Sequence, residues 1–324
     1  MSPVIGQSSL DSAKSHAPLL PLVLLIVLGL SWGLHFPIFK FAARSGLPYS
    51  GITAAIICGV ALALLAIGIT RRRLPAFRTR HLRFYFVCAV LGYLVPYFLS
   101  LFAAGRLDAG MLTLITSTTP ILTLCIAAMV HAEPVRAAQV VGIGLGLASV
   151  LFLVVPQIGG IDPKGLTAIL LAFGIPASYA GYQVYLSERW PPGSDSFQVA
   201  SGEALIAAGL MIPVLLSTGG LDVLHGGWTS GHWAILAMIL ITTVDCYLYF
   251  EIVRLAGPVF VSQASFVMVV AGVLWGMLLH GERPGEWLWL SLALLIGSLF
   301  MLARGRRGVS HPSGLGTRTP RRQD

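Results

Sequence analysis

Ten stretches of about 17 to 25 residues with almost no formal charge constrain this chain more than any other feature. They lie near residues 18–39, 50–70, 84–105, 109–131, 137–156, 165–187, 197–218, 231–250, 256–279 and 285–303. Each is long enough to carry a helix across roughly 30 Å of hydrocarbon. The runs are continuous rather than alternating, which argues against strand-type spanning. The chain is 56% hydrophobic and 10% charged, with a mean hydropathy of +0.83. A water-soluble chain of 324 residues could not cover its surface with so few charges. The sequence therefore predicts an all-α integral membrane protein with ten transmembrane helices.

The net charge of +8 is distributed by loop. With the N-terminus placed inside, one side collects Lys14, Arg71, Arg72, Arg73, Arg78, Arg80, Arg83, Arg136, Arg189, Arg254 and the C-terminal arginines. The other side receives only Lys40, Arg44, Arg106, Lys164 and Arg283. The positive-inside rule then puts both termini in the cytoplasm of a cell (inner or plasma) membrane. The basic surplus orients the chain and meets anionic lipid headgroups, so no nucleic-acid partner is expected. Cys58, Cys88, Cys125 and Cys246 fall within apolar spans and read as small core residues. Residues 1–16 are polar and the first apolar run is long enough to stay as a span, so no cleaved leader is expected.

A repeated element divides the ten spans into two sets of five. Arg106-Leu107-Asp108-Ala109-Gly110 leads through an apolar run to His131-Ala132-Glu133-Pro134. Arg254-Leu255-Ala256-Gly257-Pro258 leads likewise to His280-Gly281-Glu282-Arg283-Pro284. The expected organisation is a cytoplasmic segment at 1–17, a first five-helix repeat at 18–157, a second at 158–303, and a disordered basic tail at 304–324. An odd number of spans per half means that the second half enters from the opposite side, so the repeats are inverted. The two His-x-Glu turns then lie on opposite faces and cannot share a metal ion. They read as helix ends and gate contacts, and neither metal nor other cofactor is expected. Gly142, Gly144, Gly146, Gly272 and Gly276 read as helix-packing positions. Trp190-Pro191-Pro192-Gly193 reads as a turn.

A carboxylate well inside a span is costly unless it is paired, solvated or protonated. Asp245 lies about 14 residues into the eighth span and Glu203 about six into the seventh, which places them at similar depth on consecutive spans. Both are candidates for binding protons or a cationic substrate group. The alternative for each is a helix-holding contact with a neighbouring hydroxyl, amide or arginine. His35 has the intrinsic chemistry for proton exchange, although a structural histidine fits its position as well. Pro37 beside it is expected to kink the first span, and Pro120 to interrupt the fourth. Thr116, Ser117, Thr118 and Thr119 place four hydroxyls before that proline, facing a ligand or bonding back to the helix. Tyr179, Tyr182, Gln183, Tyr247, Tyr249 and Gln263 could supply hydrogen bonds and aromatic walls. Glu251 and Arg254 read as a local ion pair.

Three of these segments carry a family resemblance that covers nearly the whole chain. Ser31-Trp32-Gly33-Leu34-His35-Phe36-Pro37-Ile38-Phe39-Lys40, the run from Ala109 through Pro120 to Glu133, and the run from Gly257-Pro258 through Gly276 to Glu282 together resemble the EamA-type families of the drug/metabolite transporter superfamily. Tyr179 stands roughly where Trp32 does, and Val269 where Pro120 does, so a break at Val269 is left without support. The resemblance implies ten helices around a central cavity, alternating access, no ATP-binding domain, and Trp32 among the cavity residues. Members of such families move amino acids, sugars, nucleotide sugars, cations or drugs. The resulting expectation is not an enzyme but a secondary-active transporter of a small metabolite, amino-acid-like or amphipathic and cationic. It is expected to work in export, with protons as a coupling ion, surrounded by lipid, as a monomer or homodimer. An integral membrane enzyme acting on a lipid-linked substrate is the competing class. It would need clustered acids, histidines or serines near the membrane surface, where this chain has scattered single charges. A passive channel is the third reading.

Overall fold

The computed structural model describes residues 19–131, 136–158, 163–224, 227–256, 258–261 and 263–306, and the long regular elements among them are all helices. In chain order they are α1 (Leu19–Ala43), α2 (Tyr49–Thr70), α3 (Thr79–Ala89), α4 (Val95–Ala104), α5 (Ala109–Thr116), α6 (Thr119–His131) and α7 (Ala137–Ile158). The second half contains α8 (Pro163–Ala172), α9 (Gly174–Arg189), α10 (Ser196–Ser217), α11 (Ser230–Ala256), α12 (Pro258–Val261), α13 (Ala264–His280) and α14 (Glu286–Arg306). A π-helical turn at Val90–Leu94 joins α3 to α4 without breaking the span. Among the described residues, nine stretches are long and apolar enough to cross a membrane. The segment expected as the ninth span holds a shorter apolar helix, α13, of 17 residues, preceded by the single turn of α12. Residues 1–17, the Ala132–Glu133 turn, the join between the halves and most of the tail lie outside the described residues. α14 itself runs on to Arg306, past the expected start of the tail at 304.

Local chemistry sets the ends and breaks. Pro120 cannot donate to the helix before it, and the fourth span divides there into α5 and α6, with Ser117 and Thr118 between them. In the ninth span α13 starts at Ala264 and passes through Val269 unbroken. Pro37 is accommodated inside an unbroken α1. Gly281 closes α13 in the left-handed region at φ +63°, a conformation that only glycine adopts without strain. Asp195 and Gln198 form a reciprocal capping box that starts α10 just after the Trp190–Gly193 turn.

The helices alternate direction, so the molecule has two faces, named here for residues at each. The Lys40 face carries the end of α1 and the start of α5; the Arg73 face carries the end of α2 and the starts of α3 and α10. α1 is seated between α13 and α11, α9 packs against α6 and α4, and α2 packs on α10. The opening helix of one half thus lies against the fourth-span segment of the other. α7 and α14 pair with each other, where Ser298 Oγ donates to the Gly142 carbonyl at 2.6 Å and Ser149 Oγ to the Ser291 carbonyl at 2.7 Å. Small residues let α1 and α13 approach. A side chain at Gly33 would meet Ala271 Cβ and the Gly272 backbone nitrogen at 2.7 Å, and Gly272 in turn lies against Thr113. Gly144, by contrast, faces open space. Leu62, Leu170, Leu216, Leu240 and Leu278 are exposed on the outside of this bundle, as a lipid-facing surface requires.

Candidate functional site

Asp245, the acid in the eighth span, finds its partner 210 residues away. His35 Nε2 lies 2.9 Å from Asp245 Oδ2, joining α1 to α11. The Asp245 residue is only 5% exposed, and its second oxygen, Oδ1, is buried with no hydrogen-bond partner among the described residues. A buried acceptor left unpaired is costly, so this oxygen is a place where a ligand donor gains most. One turn further toward the Arg73 face, the Trp32 and Tyr249 rings stack with centroids 6.5 Å apart. Both rings are half-buried. The group combines an acid, a histidine and an aromatic wall on two helices.

Glu203 does not join it. Its carboxylate accepts from Tyr182 Oη of α9, at 3.0 Å to Oε1 and 3.2 Å to Oε2. It is 5% exposed and takes part in no ion pair among the described residues. The sequence placed the two acids together because they lie at similar depth. The structure aims Asp245 at α1 and Glu203 at α9, so depth was legible and facing was not. The halves nevertheless echo each other. His35 follows Trp32 by three residues and Tyr182 follows Tyr179 by three, and each offers its ring to an acid of the second half.

The hydroxyl run before Pro120 mostly serves its own helix. Ser117 Oγ donates to the Thr113 carbonyl, Thr118 Oγ1 to Ile115 and Thr119 Oγ1 to Thr116, all within 2.5 to 2.7 Å. Only the Thr116 hydroxyl is buried without a partner among the described residues. Gln183 is exposed and its side-chain oxygen accepts from Thr123 Oγ1 at 3.2 Å, bridging α9 to α6. Tyr179 is half-buried against the main core, and Gln263 starts α13. Tyr247 turns away: it is 50% exposed, with the Arg71 guanidinium 5.4 Å over its ring. The side chains of Arg254 and His131, and Glu133, lie outside the described residues.

A cluster that the sequence did not assemble lies at the Lys40 face. Lys40 is only 2% exposed, and its Nζ donates to Glu282 Oε1 at 2.5 Å and Asp108 Oδ1 at 3.1 Å. Glu282 also accepts from the backbone N–H groups of Ala109 at 2.8 Å and Gly110 at 3.2 Å. The carboxylate therefore caps the positive end of α5 while pairing with α1. Gly276 leaves room for it, since a Cβ there would collide with Glu282 Oε2. His280 Nε2 lies 2.9 Å from the Pro37 carbonyl, and its ring rests on Phe41. On the opposite face, Ser187, Glu188 and Arg189 at the end of α9 are exposed.

Protein PecM of Dickeya dadantii (strain 3937) is 27% identical over 221 residues, a match spanning 67% of this chain and 70% of PecM. A crystal structure matches with a TM-score of 0.58 at 18% identity, over 86% of this chain and 97% of its own, a likeness of fold alone. The sequence pattern of the EamA-like transporter family matches twice, over residues 19–155 and again over 164–304. With one match in each half of a helical bundle, the chain belongs to the EamA-like transporter family of the drug/metabolite transporter superfamily, and is a multi-pass membrane transporter of small molecules rather than an enzyme.

Proposed function

We propose that the protein is a secondary-active transporter that exports a small metabolite, amino-acid-like or amphipathic and cationic, across the inner membrane by alternating access. The observation that carries this reading is the His35–Asp245 pair with its unpartnered Oδ1 beside the Trp32–Tyr249 stack. An ammonium or amine gains from a buried acceptor and from aromatic faces together. Protons are the proposed coupling ion, because buried carboxylates exchange them readily with a change of surroundings. The basic Arg71–Arg73 segment supports a cytoplasmic Arg73 face, with both termini on it. The Lys40 face is then external, and the Lys40–Glu282 cluster holds it shut in this conformation. The halves at 18–157 and 158–303 are the proposed moving units, in a protein that works as a monomer or homodimer.

The test is counter-flow in proteoliposomes with a panel of amino acids and amphipathic cations, with and without a pH gradient. Saturable exchange of at least one cationic or zwitterionic solute, lost in Asp245→Asn, is the expected result. Absence of flux for every solute tested refutes the reading.

A further inference from the structure

Glu203 has its own surroundings, distinct from the Asp245 pair. Three side chains of α3, His81, Tyr85 and Cys88, follow one another at i, i+4 and i+7, which puts them on one stripe of the helix. The stripe begins in the first turn at the Arg73 face and ends beside Glu203, where Cys88 adjoins the carboxylate. All three residues are buried. His81 Nδ1 and the Tyr85 hydroxyl, which lies near Ser194, have no hydrogen-bond partner among the described residues. The Tyr85 ring packs directly on Gly202, so closely that a Cβ at that position would overlap it. Buried polar atoms without partners are expensive in a bilayer. Two such atoms, followed by the Cys88 thiol, lead inward from one face to the acid.

The other side of Glu203 leads into the π-helical turn. Tyr182, which donates to both carboxylate oxygens, has its ring over Gly92, 3.1 Å from where a Cβ would stand. Ser178, one turn earlier on α9, donates to the Leu91 carbonyl at 2.8 Å. α9 thus grips the widened turn at Leu91 and Gly92 through two side chains, one of them bonded to Glu203. Such turns are frequently placed at functional sites.

We propose that Glu203 is a proton-binding site separate from the substrate site, reached from the Arg73 face along His81, Tyr85 and Cys88, and coupled through Tyr182 to the turn at Val90–Leu94. This rests on the reading of the protein as a proton-coupled transporter. On ionisation the carboxylate accepts the Tyr182 O–H. When a proton arrives, the Tyr182 O–H is left with a neutral carbonyl oxygen, a weaker acceptor than the carboxylate, which loosens the hold on its ring over Gly92. The titratable neighbours are Tyr85 and Cys88 on α3, Tyr93 in the π-helical turn, Tyr182 on α9, and Cys246 and Tyr249 on α11. None of these groups is cationic, so a proton or another cation is the natural occupant.

The experiment uses the proton itself as probe and needs no identified substrate. Infrared difference spectra of the purified protein in lipid nanodiscs are recorded across a pH titration, and hydrogen exchange, corrected for the intrinsic pH dependence of amide exchange, is followed at residues 88–96. The wild type is expected to lose a protonated-carboxyl band as pH rises, with exchange at Val90–Leu94 changing along the same titration. Glu203→Gln should remove that band, whereas Asp245→Asn should keep it. Tyr182→Phe should keep the band but uncouple the exchange at 90–94 from pH, and Tyr85→Phe should slow the response to a pH jump at least tenfold. A band that survives Glu203→Gln overturns the site. Exchange that still follows pH in Tyr182→Phe overturns the coupling, and an unchanged rate in Tyr85→Phe overturns the route. Because no flux is measured, a failure here is distinct from a failure to find a transported solute.

Discussion

Replacing Lys40 by Met tests whether the cluster at the Lys40 face acts as one unit. Lys40 contacts two acids of unequal surroundings. The Asp108 side chain is 67% exposed, so its arm is worth at most about 1 kcal/mol. The Glu282 side chain is 7% exposed, and removing one partner of such a buried pair costs about 3–5 kcal/mol. Glu282 retains the Ala109 and Gly110 N–H groups at the start of α5, which offset about 1–2 kcal/mol. The net expectation for Lys40→Met is a loss of about 2–3 kcal/mol. Glu282→Gln leaves Lys40 only the exposed acid, and brings an amide up to two backbone donors. Its cost is expected to be similar, about 3 kcal/mol. Since either change already dismantles the cluster, the double variant should cost little more than one, a coupling of about 2 kcal/mol. SDS-titration unfolding of the four proteins in mixed micelles measures this cycle. Single-variant losses that add to within about 0.5 kcal/mol would show that the residues act independently and refute the reasoning.

Three further outcomes follow from the same geometry. His35→Ala should lower stability in detergent by about 1–3 kcal/mol in the same unfolding measurement, because it leaves a second Asp245 oxygen buried without its partner. Gly33→Ala should lower stability in detergent by about 1–3 kcal/mol because its Cβ meets the Gly272 backbone, while Gly144→Ala should be neutral or slightly stabilising in the same unfolding measurement. Ser298→Ala should cost only about 0.6–1.7 kcal/mol, and leave counter-flow rates unchanged, since its bond to Gly142 joins α7 to α14 away from His35 and Asp245.

What the sequence made legible is what depends on composition along one helix. The spans could be counted because a lipid-crossing helix excludes charge over its whole length. The split at Pro120 could be placed because proline lacks the N–H that continues a helix. Asp245 and Glu203 could be singled out because an acid among apolar residues is costly wherever it points. What stayed hidden was pairing. For the hydroxyls of Ser117, Thr118 and Thr119 composition left cavity lining and bonding back to the helix both open, and in the structure carbonyls three or four residues back take all three. Lys40 read only as one of the few basic residues on its side of the membrane, and it is buried because Gly281 turns the chain back and brings Glu282 over it. His35 and Asp245 meet only because α1 is seated against both α13 and α11. That seat depends on Gly29, Gly33 and Gly272, residues with no charge and no chemistry of their own. In a duplicated bundle the polar residues therefore announce themselves locally, and the glycines decide which of them meet.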